Sequence, residues 1–571
     1  MFKNKITPFL YFLLIPAFNA CKGPETGVNA YNYQINKSAE FTSAAVVCAH
    51  PLASEVGSNI MKNGGNAIDA AIATQWALAV VYPGAGNIGG GGFMVARFNN
   101  QPAFTLDYRE TAPSKASENM YLNEDGSANT RLSQNGHLSS GIPGTPSGMY
   151  AALKYAKLPM KTLLESAIKL AELGFAITQS EADNLNSSKE GFLRNNTTSP
   201  AFVRDDRPWK AGDTLVQKDL ANTLKRIRDN GLKGFYEGET ARLLVNEMEK
   251  GGGIISLDDL KSYKTIEREP IVFNYKGYEI ITMPPPSSGG ILLQQMLGML
   301  STRELSRYPF QSEKSVQLIT EVERYAYADR AEYLGDPDFV KVPYKQLVSA
   351  AYLANRMAAF DSTKAGVSNN VKPGVLPKES EQTTHISIID KEGNAVSVTT
   401  TLNGHYGSKT VVSGAGFLLN NEMDDFSIQP GVPNMYGAIG GAANAIQPNK
   451  RMLSSMTPTI LLKDKKPFMV VGTPGGTTII TSVLQSIINV VDYGMSATDA
   501  VNKPKFHHQW LPDRIDVEDD FDVNTIEQLK KLGYTIYNRG KIGRTEMILI
   551  KENKKIDAVA DKRGNDSVAG F

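Results

Sequence analysis

The chain has 571 residues, 41% of them hydrophobic, enough for one large globular unit or several ordinary domains. Sixty Lys and Arg balance fifty-nine Asp and Glu to a net charge of +1 with no basic block, which argues against a nucleic-acid partner. Two cysteines exclude a disulfide framework and a cysteine-based zinc site, and fifty glycines with twenty-nine prolines describe a loop-rich enzyme rather than a coiled coil.

In chain order, residues 1–20 carry Lys3 and Lys5 ahead of the apolar "PFLYFLLIPAF", a run too short to span a bilayer. It ends in "NAC" at Cys21 and reads as a bacterial export signal, so the mature protein is expected in the periplasm. Lipidation of Cys21 would tether it to the membrane. Phe18 and Asn19 fit a lipoprotein signal poorly, and plain cleavage near Ala20 is the alternative. No later apolar run reaches the ~18 residues of a transmembrane helix.

"SAAVVCAH" reads as a buried strand with Cys48 in the core, followed by helical segments broken at Gly64-Gly65. "GGFMVARF" and "AFTLDYRE" read as strands. From about residue 148 to 266 the apolar spacing of three and four predicts helices. "YEIITMPPPSSGG" predicts a strand, a proline turn and then the helix "ILLQQMLGML". A long helix, "SVQLITEVERYAYADRAEYL", stops before Gly335 and Pro337, and its aromatic stripe reads as core packing. A polar loop runs up to Thr383, after which strands return, with helices after Gly476 and near Thr525. Strands at both ends around a helical middle predict sheets sandwiched between helices.

In "TTHISIIDKEGNAVSVTTTLN", beginning at Thr383, Ile386 and Ile388 share one strand face while Thr383, His385 and Ser387 share the other. A two-residue turn would set apolar residues against polar ones. A three-residue loop, Lys391-Glu392-Gly393 with Gly393 left-handed, restores agreement. That register places Thr383 opposite Thr401, with Asn403 diagonal to it. The gathered hydroxyls suit a nucleophile, or else a surface strand rich in the β-former threonine. If the Gln382–Thr383 bond is cut, the threonine gains an α-amine of pKa about 7.7–8.0, a base held beside its hydroxyl by covalent geometry.

Other motifs narrow the field. "GAGNIGGGG" has GxGxxG spacing, but a helix precedes it and a strand follows, the reverse of a dinucleotide site. "GSKT" at Gly407 lacks a Walker glycine, no GxSxG elbow occurs, and the six histidines show no metal-ligand spacing. No metal or organic cofactor is expected. "FMVVGTPGGTTIITSVL" runs a strand through Gly475-Gly476 into a helix, so backbone N–H groups there suit an oxyanion, or simply make a turn.

Together "DYRETAP", "PGTPSGM", "MPPPSSGG", "YAYADRAEYLGDPDFVKVP", "QTTHISIIDKEGNAVSVT", "LLNNEMDDFS", "PGVPNMYG", "PNKRMLSSMTPTI", "GTPGG" and "FHHQWLPD" resemble the γ-glutamyltranspeptidase family over nearly the whole mature chain. The resemblance implies an α/β protein, an N-terminal-nucleophile hydrolase with a four-layer α/β/β/α sandwich. Its precursor cuts itself into a large subunit, 21–382, and a small one, 383–571, that stay together as a heterodimer. It also implies roles. Thr383 is the nucleophile, Thr401 its assisting hydroxyl, and Gly475 and Gly476 the oxyanion hole. Arg109, Ser454 and Ser455 hold the substrate α-carboxylate, Asn403, Glu422 and Asp425 its α-ammonium, and Tyr436 belongs to a lid. The implied substrates are glutathione and other γ-glutamyl compounds, with water, amino acids or dipeptides as acceptors. Asp424 is read as a structural or solvent-facing acid. Lys562 stands in "DKRG" where relatives tend to have proline.

Overall fold

The computed structural model describes residues 27–371 and 383–571. Residues 1–20, read from the sequence as an export signal, and Cys21 and Gln382 lie outside the described residues. Two seven-stranded antiparallel sheets lie face to face. The first runs, in spatial order, through Ser567–Gly570, Ala45–Cys48, Thr384–Ile389, Ala395–Thr401, Gly91–Arg97, Ala103–Asp107 and Ile266–Arg268. The second runs through Ser38–Phe41, Ile556–Ala560, Glu546–Ile550, Lys466–Gly472, Thr459–Lys463, Tyr278–Thr282 and Ile271–Tyr275.

Both sheets mix strands from before and after Thr383, so the two parts of the chain share one fold. Val47, Phe93, Val95, Ile460, Val470 and Ile548 fill the space between the sheets. The helices Pro51–Lys62, Ala67–Val81, Met160–Leu173 and Lys218–Asn230 cover the outer face of the first sheet. Gly289–Ser301, Glu313–Tyr333 and Thr478–Val491 cover the second. This is the expected α/β/β/α sandwich. Every residue of Ala67–Val81 is buried, as suits a helix apolar on all sides, and an Asn66–Asp69 capping box satisfies its N-terminal amides.

The hairpin adopts the register expected from its pattern. Thr384 pairs with Thr400, His385 with Thr399 and Ser387 with Ser397. Gly393 has φ +81°, and Asp390 N donates to Asn394 O at 3.1 Å around the three-residue loop. Ile386, Ile388, Val396 and Val398 face the helices. The hydroxyl face is not a surface: it looks into the space between the sheets, where Ser387 Oγ donates to Glu546 O at 3.0 Å and Ser397 Oγ to Val471 O at 3.3 Å. The glycine run before Gly91–Arg97 permits close backbone contact, since a Cβ on Gly90 would lie 2.1 Å from Thr401 O. Lys562, where relatives tend to have proline, donates its N–H to Asn502 Oδ1 at 3.1 Å and pairs with Asp520 at the surface. Among the described residues no helix is long and apolar enough to cross a membrane.

Candidate active site

Thr383 directly precedes the central strand Thr384–Ile389, and extending the ladder by one residue sets it opposite Thr401. Both line one cavity, and both are buried. Asn403, left-handed at φ +70°, turns the chain so that its N–H donates to Thr401 Oγ1 at 2.7 Å. That bond fixes the hydroxyl rotor and leaves the Thr401 O–H as a donor. Asn87 Nδ2 pins the strand end by donating to Thr401 O at 2.8 Å and Thr400 Oγ1 at 3.1 Å.

His385 lies on the same strand face, two residues from Thr383, but burial pushes its pKa down to about 3 and Thr399 and Ser387 hydroxyls engage both ring nitrogens. It stays neutral and is unsuited to act as the base.

Arg109 follows the strand Ala103–Asp107 and is fully buried. Its Nη2 donates to Asp425 Oδ2 at 2.5 Å, and its Nη1 pairs with Glu422. Glu422 and Asp425 share a single 3-10 turn, Glu422–Asp425. With three residues per turn, side chains at i and i+3 eclipse, so both carboxylates reach one guanidinium. The group expected to grip a carboxylate and the groups expected to grip an ammonium are thus paired with each other. Burial raises the pKa of Glu422 and Asp425, against the pull of Arg109. Asp424 points elsewhere, and it is buried rather than solvent-facing. Its carboxylate accepts Ser133 Oγ at 2.5 Å and Met435 N at 2.6 Å.

Ser454 and Ser455 line the same cavity. Ser454 N donates to Pro286 O at 2.9 Å, and Ser288 N to Ser454 O at 2.7 Å, so the proline turn after Tyr278–Thr282 fixes the serine segment. The long helix Glu313–Tyr333 corrects the sequence reading, because it is more than core packing. Its Arg330 lines the cavity, with Nε donating to Ser288 Oγ at 3.0 Å and Nη2 to Ser455 Oγ at 3.3 Å. Its Tyr327 hydroxyl donates to Thr477 O beside the glycine pair.

Gly475 (φ +140°) and Gly476 (φ +55°) link the strand Lys466–Gly472 to the helix Thr478–Val491. Gly475 O accepts Thr478 N at 3.0 Å, inside the first helical turn. The trans peptide therefore turns Gly476 N–H away from the helix. Gly476 lines the cavity, and Gly475 adjoins it.

Tyr436 lines the cavity, its hydroxyl donating to Asn403 O while Asn434 Oδ1 accepts Tyr436 N at 2.9 Å. Asn434, overlooked in the sequence although two residues before Tyr436, also donates to Asp425 Oδ1 at 2.7 Å. The partly open cavity measures about 20 Å³, room for about one water. Among the described residues no group of three or more His, Cys, Asp or Glu could hold a metal ion.

The family described as Gamma-glutamyltranspeptidase matches residues 53–571. This chain belongs to the gamma-glutamyltranspeptidase family. It is 47% identical over 523 residues to the glutathione hydrolase proenzyme of Escherichia coli (strain K12), covering 91% of this chain and 90% of that protein. It is similar to the crystal structure of the Helicobacter pylori gamma-glutamyltranspeptidase, with a TM-score of 0.56 and 43% identity over 60% of this chain and 97% of that one. The cephalosporin acylase from Bacillus halodurans has the same fold, with a TM-score of 0.80 at 24% identity, covering 95% of this chain and 98% of that one. Every residue that family resemblance had singled out lies in or beside one cavity, although the contributing segments span positions 109 to 476.

Proposed function

We propose that the protein is a gamma-glutamyltransferase and glutathione hydrolase, made as a precursor that cuts its own Gln382–Thr383 bond. The observation that carries this is the placement of Thr383 and Thr401 on the wall of a cavity that Arg109, Glu422, Asp425, Ser454 and Ser455 also line. That set is complementary to an amino acid bearing both its charges. The same head-group site disfavours the acylase reading that the shared fold allows, and catalysis is what separates the protein from a binding module on the same scaffold.

In maturation, Thr383 Oγ attacks the carbonyl carbon of residue 382. The acyl group moves from nitrogen to oxygen, and water hydrolyses the ester, leaving 383–571 with a free α-amine. In turnover the α-amine takes the Thr383 hydroxyl proton as Oγ attacks the γ-carbonyl. The Gly475 and Gly476 amides receive the oxyanion, and Thr401 donates to Thr383 Oγ. The leaving amine departs with the proton held by the α-amine, and the γ-glutamyl ester passes to water or to an amino-acid or dipeptide acceptor. Arg109 suits the α-carboxylate because its planar fork can bind it with two parallel bonds. Glu422, Asp425 and Asn403 hold the α-ammonium. About 20 Å³ is smaller than a glutamyl group, so side chains lining the partly open cavity must shift as substrate binds.

Residues 1–20 are assigned as an export signal, with the mature protein periplasmic and Cys21 a candidate for lipidation. Metabolic labelling with a radioactive fatty acid in wild type and Cys21→Ala tests that assignment. The central test is turnover of a chromogenic γ-glutamyl anilide by wild type and Thr383→Ala, with and without glycylglycine, alongside Edman sequencing of the small subunit. Activity from an uncut chain, or a small subunit not beginning Thr-Thr-His, would sink the proposal.

A further inference from the structure

The cavity wall carries two guanidinium groups whose surroundings differ. Arg109 is bracketed by Glu422 and Asp425, and Glu110 Oε2 lies 3.7 Å from its Nη1. Arg330 is buried at 7% exposure, and its side-chain hydrogen bonds go to hydroxyls, Ser288 Oγ and Ser455 Oγ. Among the described residues no carboxylate lies within ion-pair distance of it, and Asp425 acts on it only electrostatically, from farther off. A guanidinium stays charged and offers donors only, so one buried without a directly bonded carboxylate leaves a positive field that an incoming anion can satisfy.

Ser455 Oγ accepts from Arg330 Nη2 at 3.3 Å, which leaves its O–H available to donate into the cavity that both residues line. Arg330 is itself held by Ser288, whose Oγ donates to Ser454 O at 2.7 Å. One side chain from the long helix therefore anchors both the proline turn and the serine pair.

We propose that Arg330 is a positioning residue for the α-carboxylate end of the substrate. It aims the Ser455 hydroxyl at that carboxylate and supplies the positive charge that Arg109 shares with Glu422 and Asp425. The inference rests on the γ-glutamyl reading and adds a specificity consequence to it. Arg330 makes the enzyme select a free α-carboxylate over an uncharged head group.

The test compares two chromogenic γ-glutamyl anilides, one with a free α-carboxylate and one with an α-carboxamide. In Arg330→Gln the acid-over-amide ratio of kcat/KM falls by about 10- to 100-fold, the range for losing a hydrogen bond to a charged group, mostly through KM of the acid. Arg330→Lys, which keeps charge but not the fork, gives an intermediate ratio. In a Ser455→Ala background, adding Arg330→Gln lowers the ratio by less than about 3-fold further, because the two residues act as one unit. An unchanged ratio, with both substrates slowed alike, identifies a merely structural arginine and overturns the proposal. Full additivity with Ser455→Ala overturns the route through the serine. Should Arg330→Gln fail to mature, Arg330→Lys carries the same ratio test. A wild type that turns over neither anilide refutes the γ-glutamyl reading instead.

Discussion

Arg109 Nη2 donates to Asp425 Oδ2 at 2.5 Å, across 316 residues of sequence. On the proposed reading, a zwitterionic head group entering here exchanges this internal pair for two external ones, its carboxylate taking Arg109 and its ammonium taking Asp425. Asp425→Asn removes the charge proposed to receive the ammonium while keeping the shape. Its KM for a γ-glutamyl anilide is expected to rise by about 10- to 100-fold, with a smaller change in kcat, since breaking one buried charged hydrogen bond is worth roughly 1.5–3 kcal/mol. A KM within 2-fold of wild type, as for a residue outside the ammonium contact, contradicts the assignment.

Gly476 has φ +55°, and a Cβ built on it would lie 2.5 Å from Tyr436 Cδ1. Gly476→Ala therefore strains the backbone and pushes the lid ring aside in one step. Alanine keeps the backbone N–H, but the strain displaces it from the proposed oxyanion position. Loss of a single oxyanion donor typically costs about 10²- to 10³-fold in kcat, and a fall up to that size is expected for mature Gly476→Ala. Circular dichroism and gel bands matching wild type would place the loss in the site rather than in folding.

Tyr436, proposed as part of a lid, donates to Asn403 O and lines the cavity. Tyr436→Ala opens the acyl-enzyme to solvent. The expected outcome is a higher share of hydrolysis over transfer at fixed glycylglycine, measured by the ratio of free glutamate to γ-glutamyl-glycylglycine. An unchanged ratio would assign water exclusion to other residues.

Burial raises Asp424 from its ordinary 3.8 to about 7, opposed by its bonds from Ser133 and Met435. The folded state therefore prefers the protonated acid. The contribution to stability is fully present below about pH 4 and is lost as pH rises toward 7. Asp424→Asn keeps an acceptor for Met435 N–H and offers a donor to Ser133 Oγ. It is expected to match wild type near pH 4 and to exceed it by of order 2 kcal/mol at pH 8, by urea denaturation of the uncut Thr383→Ala form. Equal stability at both pH values would rule out a buried, raised acid.

The pairing of Thr383 with Thr401 was legible because it is written in local periodicity, whereas the roles of Arg109, Glu422, Asp425, Ser454, Ser455 and Tyr436 came only from the family resemblance. The alternation of Ile386, Ile388, Val396 and Val398 admits only one loop length, and that length sets Thr383 against Thr401. Glu422 and Asp425 lie in a segment that reads as a polar loop, and only the structure shows that they share one turn of 3-10 helix. Arg330 was illegible for the opposite reason. In a helix whose stripe packs as core, a single arginine reads as its polar edge, and the serines it meets lie 42 and 125 residues away. The buried state of the hydroxyl face was also hidden, because a polar strand face reads as solvent-facing until a second sheet covers it.

The interleaving of strands from before and after Thr383 has a consequence for the life of the molecule. While the chain is whole, its parts search for each other as one tethered polymer. Once the bond before Thr383 opens, the central strand of the first sheet and the outer strand bearing the carboxyl terminus belong to a separate molecule. Denatured mature enzyme must then reassemble by bimolecular encounter between two separate pieces. The cut that creates activity thus makes folding a single-use event, and the lifetime of the enzyme is set by how slowly it first comes apart.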